Sequence, residues 1–247
     1  MKDKEKWKPS KFTHRNGKLV ASRNPDDVAV SSRLSADIVA SYYDTYIGRY
    51  ACGKLLDLGC GKVPLFDTYK KFVTENICVD WGNSPHKNEH LDFECDLTKT
   101  LPFVNGEFNT IILSDVLEHI PDPTQLWHEM SRVLASSGRI IMNVPFFYGL
   151  HEQPHDYYRY TEFSLRRFAE GSRMNIVQLT AVGGVPEIIA DMVAKCIVKW
   201  PYVGRSLAAF TQYAASVFIR TRIGKRASDK TSKQFPLGYF LVAEKRI

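Results

Sequence analysis

The five cysteines (Cys52, Cys60, Cys78, Cys95, Cys196) are odd in number, and none forms a CxxC pair or lies at metal-ligand spacing from a histidine. Neither a disulfide framework nor a local zinc site is suggested, and reduced thiols of a cytoplasmic protein are the expectation. Long apolar runs are also missing. The charge-free stretch Ser206 to Ile219 has 14 residues, fewer than the ~20 a bilayer span needs. The first residues, MKDKEKWKPSKF, carry charges with no apolar segment behind them, so no secretory signal is expected. Internal repeats and low-complexity tracts are absent as well. With 247 residues, 44% hydrophobic and 24% charged, the chain suits one globular domain with additions.

Charge is unevenly placed. Residues 1–23 carry net +6 and residues 195–233 net +8, leaving the remainder at −8. Basic flanks on an acidic body argue against a nucleic-acid binder and for local contact with something anionic. For residues 1–23 the simpler expectation is a solvated, frayed basic tail. Residues 26–47 repeat apolar and aromatic positions at helical spacing (Val30, Leu34, Ile38, Tyr42, Tyr46), with Asn24 as cap and Pro25 in the first turn. Residues 1–50 thus read as a basic tail and a helical extension.

From residue 51 onward, short apolar runs alternate with helical patterns. Strands are expected at Lys54–Leu58, Asn76–Asp80, Leu91–Cys95, Thr110–Leu113, Arg139–Val144, Asn175–Val182 and Gly238–Ala243. Between them fall helices at about 64–72, from Asp122-Pro123 to near Gly138, and from Thr161 to near Gly171. This alternation predicts an α/β fold, a doubly wound, Rossmann-like, mostly parallel seven-stranded sheet with helices on both faces. The core would comprise 51–185 and 234–247, with 186–233 a helical insertion before the last strand.

The first strand leads into Asp57-Leu58-Gly59-Cys60-Gly61, a glycine loop that lets the backbone approach a ligand closely. A dinucleotide fingerprint G-x-G-x-x-G would need glycine at 64, where Pro64 stands. The segment instead resembles motif I of class I S-adenosylmethionine-dependent methyltransferases, and three more motifs of that family follow in order. Asp80 ends the second strand, Asp96-Leu97 precede an L-P-F segment (Leu101-Pro102-Phe103), and Ser114 to Pro123 is similar to the family's V-L-E-H-[IV]-x-D-P signature. The resemblance implies S-adenosylmethionine as cofactor. Its methionine part would lie on Asp57, Gly59, Cys60 and Gly61, its ribose on Asp80, and its adenine near Trp81, Asp96 and Leu97. Ser114 would stand near the sulfonium. A third glycine frequent in the family is Val63 here.

Residues Pro145 to Thr161 resemble the P-F-x-x-x-x-H-x-x-P-x-D-[YF]-x-R-[YW]-T segment of type 11-like methyltransferases, many of them associated with bacterial surface-glycan assembly. The loop follows the fifth strand and would hang over the cofactor edge, where an acceptor must lie. His155, Asp156, Tyr157 and Arg159 are its candidate acceptor contacts, although Arg159 could equally pair with Asp156. For a hydroxyl acceptor a neutral histidine suits the base role near pH 7, with His151 the first choice and His119 the second. No carboxylate cluster at metal spacing is evident, so no metal is expected. The expected activity is O-methylation of a sugar, glycolipid or other small acceptor, without nucleic acid as partner. An NAD-dependent oxidoreductase and a non-catalytic methyltransferase-like module are the competing readings.

Within the insertion, Ile188, Ile189, Met192, Val193, Cys196, Ile197 and Trp200 share one helical face, while Glu187, Asp191, Lys195 and Lys199 share the other. Such a helix either packs its apolar face on its own domain or rests it on a membrane. Together with the basic cluster Arg220, Arg222, Lys225 and Arg226, the pattern suggests an acceptor lid in peripheral contact with an anionic inner membrane surface.

Overall fold

The computed structural model describes residues 1–82 and 89–247. The chain opens with a hairpin, β1 (Phe12–Arg15) and β2 (Lys18–Ala21), followed by helix α1 (Arg33–Tyr50). Then come β3 (Lys54–Leu58), the single turn α2 (Phe66–Tyr69), β4 (Glu75–Asp80), β5 (Phe93–Glu94) and β6 (Phe108–Ser114). Helix α3 (Pro123–Val133), β7 (Leu134–Pro145), α4 (Glu162–Gly171) and β8 (Met174–Val182) complete the first sheet edge. Three helices, α5 (Val185–Ile197), α6 (Gly204–Phe218) and α7 (Arg222–Thr231), precede β9 (Gly238–Lys245).

The seven-stranded sheet has the order β5-β4-β3-β6-β7-β9-β8, and β9 runs antiparallel to both its neighbours. Alternate residues of each strand enter two separate apolar layers. Leu56, Leu58, Ile111, Leu113, Ile140 and Met142 face Trp127 and Met130 of α3 and Leu165 of α4. Leu55, Ile112, Ile141, Phe240 and Val242 face α1 through Ala40, Tyr43 and Ile47. Both faces are therefore covered, as the doubly wound expectation requires. Phe240 meets Tyr42 and Tyr46 in stacked contacts and Tyr43 edge-on, at centroid distances of 5.4, 5.2 and 5.2 Å respectively. The chain leaves β3 for β4 on one side and returns to β6 on the other, opening a crevice at the carboxyl ends of these strands.

Several boundaries differ from expectation. The basic N-terminus is not a frayed tail: Phe12, Leu19 and Ala21 are buried, and Asn16 and Gly17 turn the hairpin with positive φ of 52° and 73°. Met1 is tied down too, its ammonium lying 2.5 Å from Asp92. Helix α1 starts at Arg33, because Asn24 Oδ1 instead accepts from Asp26 N in a local turn that leaves 25–29 non-helical. The 64–72 helix shrinks to one turn and the third strand to two residues. Gly138 does not end α3. The helix stops at Val133 and β7 begins at once, with Gly138 inside the strand, where a Cβ would sit 2.9 Å from Ala135 O. At its start α3 follows the sequence, Asp122 accepting from Thr124 N and Gln125 N ahead of Pro123.

Candidate active site

The crevice is a cavity of about 1130 Å³ that extends from the β3 loop to the 146–160 segment. Every sequence-nominated residue lines it except Asp156 and Arg159.

On the β3 side, Gly59 and Gly61 take left-handed φ of 66° and 49°. A Cβ on Gly59 would lie 2.5 Å from Val116 Cγ2, so glycine permits the close approach of this loop to the turn after β6. Val63 holds the same left-handed conformation, φ 50°, at the position where the family often has glycine. That conformation costs a side chain about 1–2 kcal/mol, and full burial of Val63 returns an amount of similar size. The indole of Trp7 donates to Val63 O at 3.0 Å, so the N-terminal segment braces the loop. Asp80 accepts from Gly61 N at 2.8 Å and from Trp81 N at 2.7 Å, fixing the loop against the end of β4. Asp96 accepts from Thr98 N and Oγ1, and these bonds hold its carboxyl below the usual range. Trp81 is partly exposed and meets the His155 ring edge-on at 5.2 Å, joining the two sides of the cavity. The neighbouring Cys78 side chain, and then burial, push the Cys60 thiol up, so it stays neutral.

Asp57 differs from these. It is buried, among the described residues only the Tyr69 hydroxyl, at 3.2 Å, donates to its carboxyl, and burial pushes it up to about 7. A buried carboxylate with no cationic partner among the described residues suits a ligand that brings positive charge. The ammonium and sulfonium of S-adenosylmethionine supply that charge, and the glycine loop supplies the close backbone, so the residues present fit the group.

On the β6–β7 side the 146–160 segment is laced to the 117–121 turn. Tyr157 N and Tyr158 N donate to Glu118 O, Tyr158 Oη to Pro121 O, and Tyr160 Oη to Leu117 O. Asp156 and Arg159 form a two-pronged ion pair at 2.6 and 2.8 Å, which holds the Asp156 carboxyl at about 2. Asp156 also accepts from His151 N, so this pair shapes the loop from behind the cavity wall.

Three side chains meet in one corner. Glu118 is fully buried, and its Oε1 lies 3.8 Å from His151 Nε2 and 3.9 Å from His119 Nε2. His119 Nδ1 stands 2.7 Å from His155 O and His151 Nδ1 3.3 Å from Gly149 O. Since a carbonyl only accepts, both rings carry hydrogen on Nδ1 when neutral and turn the Nε2 lone pair to the corner. Burial pushes the Glu118 carboxyl up, and the Glu118 carboxylate in turn raises His151.

Two histidines and a carboxylate are also a metal-ligand set, one that sequence spacing concealed because Glu118 and His151 lie far apart along the chain. Adjacent ligands around a metal at ~2.1 Å stand roughly 3–3.5 Å apart, whereas groups sharing a hydrogen-bonded oxygen at ~2.8 Å stand roughly 4–4.6 Å apart. The corner atoms lie 3.8 to 4.8 Å from one another, a spacing closer to that of an oxygen.

Sequence reasoning missed Lys11, whose Nζ reaches Asp115 Oδ2 at 2.6 Å inside the cavity, and Asn143, which donates to Asp115 Oδ1. Burial opposes the Lys11 charge, but the Asp115 carboxylate outweighs it and raises the group. The available signal was Asn16-Gly17 between alternating apolar residues, which marks a hairpin that carries Lys11 inward.

Residues 56–142 match a protein-family model described as a methyltransferase domain, type 11. A 37.1 kDa transposon protein of Streptomyces fradiae is 28% identical over 145 residues, covering 53% of this chain and 42% of its own length. The ubiquinone biosynthesis O-methyltransferase of Acinetobacter baylyi is 20% identical over 128 residues, 47% of this chain and 52% of that protein. The chain thus spans about half the length of these curated relatives. Among solved structures, an S-adenosylmethionine-dependent methyltransferase from Mesorhizobium loti superposes with a TM-score of 0.54 at 11% identity, over 86% of this chain and 100% of the other. Four ordered motifs and a seven-stranded sheet of this order agree with the family match: over residues 56–142 the chain is similar to class I, type 11 methyltransferase domains.

Proposed function

We propose that the protein methylates a hydroxyl oxygen on a sugar, glycolipid or other small acceptor, with a lipid-linked glycan the favoured class. The observation that carries this reading is the Glu118, His119 and His151 corner, which opens into the same cavity as the glycine loop and Asp57. S-adenosylmethionine bound along Asp57, Gly59, Gly61 and Asp80 supplies a methyl group on a sulfonium, whose sulfur leaves without needing a proton.

The chain's own work is alignment and proton handling. An acceptor hydroxyl in the corner directs its O–H at His151 Nε2, with His119 Nε2 and Glu118 Oε1 beside it. Transfer would form the C–O bond from the oxygen's lone pair and return the C–S pair to sulfur, and His151 Nε2 would take the hydroxyl proton. The nearby Glu118 carboxylate then stabilises the imidazolium. Asp156 and Arg159 hold the segment that presents His151, while His155 and Tyr157 line the acceptor side.

Labelled S-adenosylmethionine offered with lipid-linked and nucleotide-linked sugars tests the proposal. Label should appear in a base-stable ether of one sugar class. Transfer only to amines would overturn the O-methyl reading, and tight NAD binding without S-adenosylmethionine binding would overturn the enzyme class.

A further inference from the structure

The helical insertion buries charged and polar side chains and exposes several large apolar ones. On α5, Glu187 and Asp191 are 4% and 3% exposed, while Ile189 and Met192 are 56% and 55% exposed. The inward charges have partners: Glu187 accepts from Gly184 N at 2.9 Å and Ser228 Oγ at 2.6 Å, and Asp191 pairs with Lys195 at 2.6 Å. On α6, buried Gln212 accepts from Leu34 N at 2.7 Å and donates to Ala190 O at 3.2 Å. Leu207, Phe210, Tyr213 and Val217, spaced three or four residues apart, are exposed instead. Buried Ile188, Ala190, Ala194 and Ala208 pack these helices on the domain together with the polar groups, and the larger apolar side chains named above are left facing outward. Concentrated apolar exposure of this kind marks an interaction surface.

Charge selects the occupant. Residues 195–233 hold nine basic residues against one acidic, so a second copy of this face would meet like charge. An anionic lipid surface offers the complement, and aromatic side chains such as Trp200 and Tyr213 suit the headgroup boundary. Among the described residues no helix is long and apolar enough to cross a membrane, so contact would be lateral. The inward side of α5 adjoins the cavity. Lys195 Nζ lies 3.3 Å above the ring of Tyr148, whose hydroxyl meets Ser32 Oγ at 3.3 Å, and Tyr148 and Ser32 both line the cavity.

We infer that the outward faces of α5 and α6 seat the protein on an anionic bilayer, with Met192 and Phe210 among the inserted side chains and Arg220 and Arg222 on lipid phosphates. The inference rests on the proposed lipid-linked acceptor, for which the membrane is the source. The full chain is to be sedimented with vesicles of phosphatidylcholine alone or mixed with phosphatidylglycerol, at low and high salt. Pelleting is expected with the mixed vesicles, weaker at high salt. Binding should fall at least about tenfold in Met192→Ser/Phe210→Ser and in Arg220→Glu/Arg222→Glu. Four results would each overturn it: no pelleting at low salt, equal pelleting with neutral vesicles, unchanged binding by the apolar variant, or a dimer that the apolar variant dissolves while vesicles are ignored. S-adenosylmethionine affinity measured on every variant reports folding and tests the methyltransferase reading separately, since these residues lie outside the cofactor loops.

Discussion

Replacing Glu118 by Gln keeps the size of the buried side chain and its backbone acceptor for Tyr157 N, but removes the charge facing His151. Across 3.8 Å a full carboxylate would favour the imidazolium by about 4 kcal/mol at an effective dielectric of 20. Two effects reduce that figure: burial raises Glu118 itself, so the carboxylate is not fully formed near neutrality, and burial of His151 opposes its charge. His151 is therefore expected to titrate at lower pH in the variant. The sign follows from the causes. With Glu118 present the imidazole titrates above its ordinary 6.5, and without it the lowering by burial is opposed only by the smaller effects of Asp156 and the Gly149 carbonyl. Ring resonances of His151 followed by NMR across pH 5 to 9 give the midpoint in each protein without any acceptor. If His151 is the base, the acid limb of turnover should move to lower pH in Glu118→Gln, with a lower plateau because the imidazolium loses its counter-charge. A midpoint equal in both proteins would refute the coupling and leave Glu118 a space-filling acid.

Asp80→Ala should weaken S-adenosylmethionine binding by about 2–4 kcal/mol by removing a charged acceptor for the ribose hydroxyls; calorimetry showing an unchanged Kd would dismiss that role. Because Asp57 titrates at about 7 in the free protein, binding of a cationic ligand should lower its pKa and release roughly half a proton at pH 7. Calorimetry in buffers of different ionisation enthalpy measures this, and Asp57→Asn should abolish it. His151→Ala should lower kcat by about 10²–10⁴-fold with little change in cofactor affinity, and full turnover would pass the base role to His119. Gly59→Ala should destabilise the fold through the 2.5 Å clash with Val116, and adding Val116→Ala should restore part of the lost Tm; no recovery would place the strain in the backbone alone.

Local order in the sequence accounts for what was legible. Each core strand lies beside a loop or cap whose chemistry is carried by adjacent residues, as with Asp57 to Gly61 or Asp122-Pro123, so the sheet and the residues lining its crevice could be read in one pass. The hairpin escaped because a run of lysines outweighed a two-residue turn signal, although Phe12, Leu19 and Ala21 already had the alternation of a buried ribbon. The Glu118, His119 and His151 corner is a different kind of omission. Both histidines were named individually, but the atom that gives them a joint function belongs to a motif residue with no evident role of its own, brought to His151 only by the fold.

Helix α5 shows where such reading must stop. Periodicity states that two faces differ; it does not state which one turns inward. The apolar face would ordinarily win, since burying a large side chain gains about 1.5–3 kcal/mol and burying an unpartnered carboxylate costs more than that. Here the balance is reversed by partners the sequence pattern does not reveal: Gly184 N and Ser228 Oγ for Glu187, and Lys195 for Asp191. Once those bonds exist, turning the helix over would break them and leave Gly184 N and Ser228 Oγ without the Glu187 acceptor. The outward placement of Ile189 and Met192 is thus tied to the bonds that Glu187 and Asp191 make inside.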